Sequence, residues 1–411
     1  MKLLLILDTV DYPAGVNAQL ARRLADHLAR SGHIVHLLEL WDGQTPPPIP
    51  EACMMFKLPF ADERIMNDAL EHGAPGGSPI PLRLARLALH PSAVMAAVRM
   101  VGLKRPRRQT VCRKEIERLD SRNHYDAAIA VAGPYYAAFA LGEAQVGCKK
   151  AVWQMDPYTA NQQARQNGGA LQRELRLYDS VDKLFITKLM QPDYQAGVFA
   201  PYQYKTQVLE FPSMVPAENA PAARVAGAPL RCVFAGNLYP GVRTPHFALE
   251  LFRALDLPDA QLVFVGGGWQ QFPGLAEEWQ KILGDRLVLT GQLSPREARE
   301  EMSHADVLIN LGNGVANQLP SKIFEYFGSG RPVLNLAKIP DDPALPYFER
   351  YPLACTVLES EGCGPDVLAR VRQFLQAAPE QRLSFPQAAA LFVENTPAAV
   401  ADSLLAGLKR S

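Results

Sequence analysis

The stretch from Asp306 to Leu334, DVLINLGNGVANQLPSKIFEYFGSGRPVL, carries the residue order with the clearest chemical meaning. It reads as an apolar strand, a glycine-containing loop, a helix N-terminus and then Glu325 in the second turn. Free N–H groups and the positive end of a helix dipole make such a terminus a natural diphosphate seat. Lys322, one residue inside the helix, adds a point charge. Glu325, one turn on, can accept two hydrogen bonds from a ribose diol. The same two side chains also fit an exposed i,i+3 ion pair worth about a few tenths of a kcal/mol. Spacing alone leaves both readings open.

Absent motifs narrow the chemistry further. The sequence has no G-x-x-x-x-G-K-[ST] phosphate loop, no G-x-S-x-G elbow and no H-E-x-x-H pair. Gly266-Gly267-Gly268 follows a strand, but Gln271 stands where a dinucleotide fingerprint needs its last glycine. There is no Asp-x-Asp pair of the kind that holds a metal-bound diphosphate. His33 and His36 read as a helix-to-strand turn. The six cysteines show no CxxC spacing and no neighbouring His pattern, so neither a zinc site nor a disulfide framework is expected. These features predict a reduced, cytoplasmic protein and argue against a zinc site and a NAD-type cofactor.

The elements that must position these residues alternate between short apolar runs and segments of helical period, the signature of parallel-sheet α/β domains. Buried strands are predicted at Lys2–Leu7, Ile34–Leu40, Ala127–Val131, Lys149–Met155 and Lys183–Thr187. After a Pro/Ala-rich linker between Pro212 and Pro229, they resume at Leu230–Ala235, Gln261–Val265, Arg286–Thr290, Asp306–Leu311 and Pro332–Leu336. Leu20, Leu24 and Leu28 mark an amphipathic helix ended by Gly32. Ser294-Pro295-Arg296-Glu297 is a capping box with proline at the first helical position. A helix is expected over Pro320–Phe327, and a terminal one from about Thr396. At 411 residues the chain holds two domains, each large enough to bury a core. We place an N-terminal Rossmann-like domain at 1–213 and a second at 228–395, with the helix 396–411 packing back on the first. Two such domains facing each other set their strand C-termini along one cleft.

The formal net charge is zero, which removes a general nucleic-acid binder. The balance is uneven, however. Between Arg83 and Arg118 ten Lys/Arg face only Glu115 and Glu117. Leu82 to Val101 has helical spacing of apolar residues with Arg83, Arg86 and Arg99 between them, and Lys104-Arg105-Pro106-Arg107-Arg108 follows. A segment of this kind can lie on an anionic membrane surface or present a solvated helical face. Leu3 to Leu7 runs into Asp8, too short for a signal-peptide core, and no stretch reaches the ~20 apolar residues of a membrane span.

Asn317-Gln318-Leu319-Pro320-Ser321-Lys322-Ile323-Phe324-Glu325-Tyr326, followed by Gly328-Ser329-Gly330-Arg331-Pro332, resembles the donor-site motif of family 4-like glycosyltransferases of the GT-B fold. Val233 to Leu238 with Arg243 resembles the glycine turn and basic residue that meet the diphosphate. Leu262 to Gly266 resembles the next strand, and Val288 to Gly291 the strand whose following loop borders the base. The N-terminal strand, the Pro13-Ala14-Gly15 loop and the helix to Gly32 resemble the family's start. The likeness covers the C-terminal half well and the N-terminal half in outline. In two places the chain departs from the family pattern. Asn317 stands where the first of two glutamates usually falls, and an amide cannot offset oxocarbenium charge. Arg243 lies one residue beyond the usual lysine spacing.

The resemblance implies a metal-independent, retaining transfer of sugar from a nucleotide-sugar donor to a hydroxyl on a saccharide or lipid-linked acceptor, in cell-surface polysaccharide or glycolipid assembly. Gly236, Asn237, Arg243, Ser321, Lys322 and Glu325 are then expected at the nucleotide and diphosphate, with the amides of Gly236 and Ser321 as donors. Gly266, Gly291, Gln292 and Leu293 are expected at the base. Gly15, Asn317, Gln318 and Leu319 are expected at the donor sugar or acceptor, with Asn317 and Glu325 nearest the reacting carbon. Retention lets the leaving phosphate take the acceptor's proton. Inversion needs a carboxylate base, and Asp156, at a strand's C-terminal end in Trp153-Gln154-Met155-Asp156-Pro157, is the candidate. A sugar-nucleotide epimerase or hydrolase, or a non-catalytic binder or partner subunit, would share this architecture.

Overall fold

The computed structural model describes residues 1–10, 15–44, 48–61, 92, 94–95, 108–155, 158–160, 169–217 and 227–409. The chain divides into two compact units, residues 1–212 with 397–411, and residues 213–396. The first boundary falls at the start of the proline-rich linker.

In the first unit the strands are β1 (Lys2–Asp8), β2 (Ile34–Trp41), β3 (Met54–Pro59), β4 (Ala127–Ala132), β5 (Lys149–Gln154), β6 (Lys183–Ile186) and β7 (Thr206–Val208). They form one sheet in the order β3-β2-β1-β4-β5-β6-β7, parallel throughout. β1 and β4 are buried along nearly their whole length, which is why they read as unbroken apolar runs rather than alternating ones. The single apolar stretch from Ala127 to Gly142 resolves into β4 and the helix Tyr136–Glu143, parted at Pro134. The C-terminal helix Pro397–Lys409 belongs to this unit. Gln207 Nε2 in β7 donates to the Ser403 carbonyl at 2.7 Å, and Lys149 Nζ in β5 donates to the Leu408 carbonyl at 3.0 Å.

The second unit holds β8 (Leu230–Ala235), β9 (Ala260–Val265), β10 (Leu287–Gly291), β11 (Val307–Leu311), β12 (Val333–Ala337) and β13 (Ala354–Leu358), in the order β10-β9-β8-β11-β12-β13. All pairings are again parallel. This is the strand order of a doubly wound Rossmann sheet, and its winding reverses between β8 and β11. One polar line crosses the sheet: Asn310 donates to Asn335 at 2.8 Å, and Asn335 donates to Thr356 at 3.3 Å. The predicted capping box closes the helix Pro295–Ser303, with the Ser294 hydroxyl accepting from the Glu297 N–H and the Glu297 carboxylate accepting from the Ser294 N–H.

Three strands that the sequence reading does not mark, β3, β7 and β13, all lie at sheet edges. The basic stretch falls largely outside the described residues, which include only three positions of 83–107. Arg108 is buried and pairs with the buried Asp8 at 3.4 Å. Arg113 and Arg118 pair with Glu117 and Glu115 on their own helix, Arg108–Asn123. The described part of the stretch is therefore largely neutralised, and Arg108 is not available to a membrane. Among the described residues no helix is long and apolar enough to cross one.

Candidate functional site

Where a doubly wound sheet reverses direction, the loops leaving the carboxyl ends of the two flanking strands part and leave a crevice. In the second unit those strands are β8 and β11. After β8 come Gly236, Asn237 and Leu238, then a tight hairpin in which Tyr239 and Arg243 exchange backbone hydrogen bonds, both at 2.8 Å. After β11 come Gly312, Asn313 and Gly314. The two loops are joined twice. The Gly314 N–H donates to the Val242 carbonyl at 2.7 Å, and Arg243 Nη2 donates to Asn313 Oδ1 at 2.8 Å.

The helix after this loop, Lys322–Gly328, begins two residues later than the sequence suggests, so Glu325 lies in its first turn. Tyr326, fully enclosed, fixes it to the end of β8. Its hydroxyl donates to the Ala235 carbonyl and accepts from the Ala235 N–H, each at 3.2 Å. Neither the Ser321 nor the Lys322 N–H has a backbone acceptor among the described residues. With only seven residues the helix has a modest dipole, so side-chain charge dominates here. Burial draws the Arg243 guanidinium below its ordinary range, against the pull of Tyr326, Tyr239 and Asp342. Burial also draws the Lys322 ammonium down; Glu325 opposes this, while Arg243 and Arg299 add to it. Among the described residues the buried Arg243 Nε has no hydrogen-bond partner. Glu325 only partly offsets the two guanidiniums that act on this ammonium of Lys322, so a bound anion would favour its charged form.

Beside the hairpin lies a cavity of about 400 Å³ whose lining includes Asn237, Tyr239, Gly266, Trp269, Gly291 and Gln292. Its size lies in the range of small-molecule sites. Gly266 has φ +134°, and a Cβ there would stand 2.1 Å from the Gly236 carbonyl oxygen, so only glycine lets β8 and β9 end this close together. Asn237 Oδ1 accepts from the Gly267 N–H at 3.0 Å, and its Nδ2 donates to the Tyr239 hydroxyl at 3.5 Å. Trp269 packs edge-on against Phe264, with centroids 5.0 Å apart.

Structure and sequence reading agree in part about which residues gather. Gly266, Gly291 and Gln292, expected at the base, share the cavity wall with Asn237, whereas Leu293 is not in the lining. The Gly236 N–H is not a free donor, because it is committed to the Val265 carbonyl at 2.9 Å. Gly236 instead provides space: a Cβ there would meet Phe234 at 3.0 Å and Arg243 Nη1 at 3.6 Å. Asn317 and Gln318 are exposed, and Leu319 is partly exposed. Lys322 and Glu325 are both partly buried, which removes the fully exposed ion pair. Gly15, in the first unit, precedes the helix Val16–Arg30 as its N-cap. Asp156 lies outside the described residues; the chain just beyond it is held by Glu174, whose carboxylate accepts from the Tyr158 and Thr159 N–H groups at 3.0 and 3.1 Å. Tyr239, Trp269 and Asn313 were not anticipated. Trp269 directly follows the triple glycine, a signal that pattern reading passed over. Among the described residues no three His, Cys, Asp or Glu side chains gather as a metal site would require.

The architecture is the GT-B fold. A UDP-forming α,α-trehalose-phosphate synthase from Burkholderia xenovorans is similar over 100% of this chain and 99% of its own, with 13% identity and a TM-score of 0.60. Anabaena HepE, solved in complex with UDP, matches over 100% of both chains at 12% identity and a TM-score of 0.59. WaaG, a glycosyltransferase of lipopolysaccharide biosynthesis, matches over 98% of this chain and 99% of its own at 14% identity and a TM-score of 0.51. No protein-family model matches the sequence, and no curated protein matches it. At these identities the likeness establishes the fold.

Proposed function

We propose that this protein is a glycosyltransferase that moves a sugar from a nucleotide-sugar donor to a hydroxyl of a saccharide or lipid-linked acceptor, with no metal and with retention at the anomeric carbon. The observation that carries the reading is the meeting of two partly buried cations, Arg243 and Lys322, at the loops where the sheet reverses, with Arg243 held by Asn313. A cavity of nucleotide-binding size adjoins the same hairpin. In this reading the base and ribose occupy the cavity side, with Glu325 accepting from the ribose diol. The diphosphate meets Arg243, Lys322 and the Ser321 amide. As the glycosidic bond breaks, negative charge grows on the leaving diphosphate, and donors already in place stabilise it with little reorganisation. The departing phosphate takes the acceptor's proton. Asp156 is the base if the reaction inverts instead. UDP in the similar HepE structure and the lipopolysaccharide role of WaaG support a nucleotide donor and a cell-surface product. We place the reaction in the cytoplasm, at the membrane's inner face if the acceptor is lipid-linked.

Asn317 favours a second reading, a nucleotide-sugar binder without turnover, because an amide cannot offset positive charge on the sugar. Incubation with UDP-, GDP-, CDP-, ADP- and TDP-sugars in EDTA, with saccharide and glycolipid acceptors, separates the two. Release of one nucleoside diphosphate together with a lengthened acceptor supports transfer. Tight donor binding with no release supports the binder, and no binding of any donor rejects both.

A further inference from the structure

Arg243 does not hold its position alone. The tripeptide Gly312-Asn313-Gly314 threads a gap too narrow for side chains on either flank. A Cβ on Gly312 would stand 2.6 Å from Asp342 Oδ2 and 2.7 Å from the Lys338 nitrogen, and one on Gly314 would stand 2.7 Å from the Gly241 carbonyl oxygen. Both glycine amides are bonded, Gly312 to the Leu336 carbonyl at 2.8 Å and Gly314 to the Val242 carbonyl at 2.7 Å. The loop is thus anchored to β12 on one side and to the hairpin on the other. The residue between the glycines, Asn313, is only 4% exposed, and its Oδ1 receives Arg243 Nη2 at 2.8 Å. That bond engages one guanidinium nitrogen, and Nε has no partner among the described residues.

We infer that Asn313 is a positioning residue for the diphosphate: it sets the orientation of the Arg243 guanidinium without adding a negative charge of its own. The choice of an amide follows from charge. A carboxylate at 313 would make a charge-assisted pair with Arg243 and spend on the protein the attraction the ligand needs. An apolar side chain would leave a second guanidinium nitrogen unbonded and its orientation unfixed. An amide accepts one N–H and adds no charge. Asp342 lies close enough to act on Arg243: burial raises its carboxyl above the usual range, while the Ala344 N–H and Arg243 draw it down. This inference deepens the nucleotide-sugar reading and rests on it.

The test is calorimetric titration of the full-length chain with UDP, GDP, CDP, ADP and TDP and with the five corresponding nucleosides, at two salt concentrations. Four variants are compared with wild type: N313D, N313A, R243Q and R243Q/N313D. N313D should weaken the preferred diphosphate about tenfold or more while leaving its nucleoside within about twofold. It should also flatten the salt dependence of diphosphate binding. N313A should show a smaller loss of the same selectivity, which keeps the idea testable if N313D folds poorly. The double variant should lose no more than R243Q alone, because Asn313 acts through Arg243. Equal losses for diphosphate and nucleoside in N313D and N313A, or additive losses in the double variant, would overturn the positioning role. If R243Q itself retains wild-type diphosphate affinity, or no diphosphate binds wild type, the underlying site reading fails and takes this inference with it.

Discussion

Replacing Lys322 with methionine should stabilise the ligand-free protein and impair the liganded one. Methionine keeps an unbranched side chain of similar length but removes the charge. In the free protein that charge is unfavourable, since burial lowers the Lys322 pKa, Arg243 and Arg299 lower it further, and only Glu325 opposes them. Removal of such a functional liability typically gains about 0.5–2 kcal/mol, or roughly 1–8 °C in Tm for a domain of this size. The pH dependence has a definite sign. A lysine whose pKa is lower folded than unfolded holds its proton more tightly in the unfolded chain. Stability therefore rises with pH between the depressed folded value and the ordinary value of 10.5, and K322M lacks that rise. With diphosphate bound the order reverses, because the anion offsets the repulsion from Arg243 and Arg299. Loss of a charge-assisted contact costs about 1.5–3 kcal/mol, or roughly 10–100-fold in Kd. Calorimetry with and without a nucleoside diphosphate reads both effects in one experiment. A variant that is destabilised when free, or that binds the diphosphate as wild type does, would refute the reasoning.

Other consequences are open to simpler checks. G266A should destabilise the second unit by about 2 kcal/mol or more in urea unfolding, because its Cβ would stand 2.1 Å from the Gly236 carbonyl oxygen at a left-handed φ; a neutral result would contradict the close approach of β8 and β9. E174Q should cost about 2–3 kcal/mol, since its carboxylate accepts from Gln154, Tyr178 and two backbone N–H groups, and an amide NH2 would turn a donor toward donors. Hydrogen exchange at Tyr158 and Thr159 should accelerate in that variant, and unchanged protection would exclude an anchoring role. W269A should weaken nucleoside and nucleoside diphosphate alike by about tenfold, whereas an effect on the diphosphate alone would move Trp269 away from the base.

The parts of the fold legible in the sequence are those governed by local burial. β1, β4, β8 and β11 are covered on both faces and announce themselves as continuous apolar runs. β3, β7 and β13 lie at edges, where one flank needs no sheet partner and mixed residues such as those of Met54–Pro59 suffice. The site divides along the same line. The loop-to-helix run through Lys322 and Glu325 is contiguous and readable. Asn313 is not, because its meaning depends on Arg243, seventy residues away, and Arg108 finds Asp8 across one hundred. No periodicity encodes such pairings. The Gly236 amide shows the converse error: a glycine turn suggests a free donor, yet the parallel neighbour β9 claims it through Val265.

The central claim, a nucleotide site at the reversal of the second sheet, is tested most directly by thermal unfolding with UDP, GDP, CDP, ADP and TDP in EDTA, for wild type and E325Q. A ligand at a hundred times its Kd stabilises the folded state by about 2.7 kcal/mol, an easily measured shift. The account predicts a shift with one base in wild type that is reduced in E325Q. Absence of a shift with all five, or an equal shift in E325Q, would contradict it.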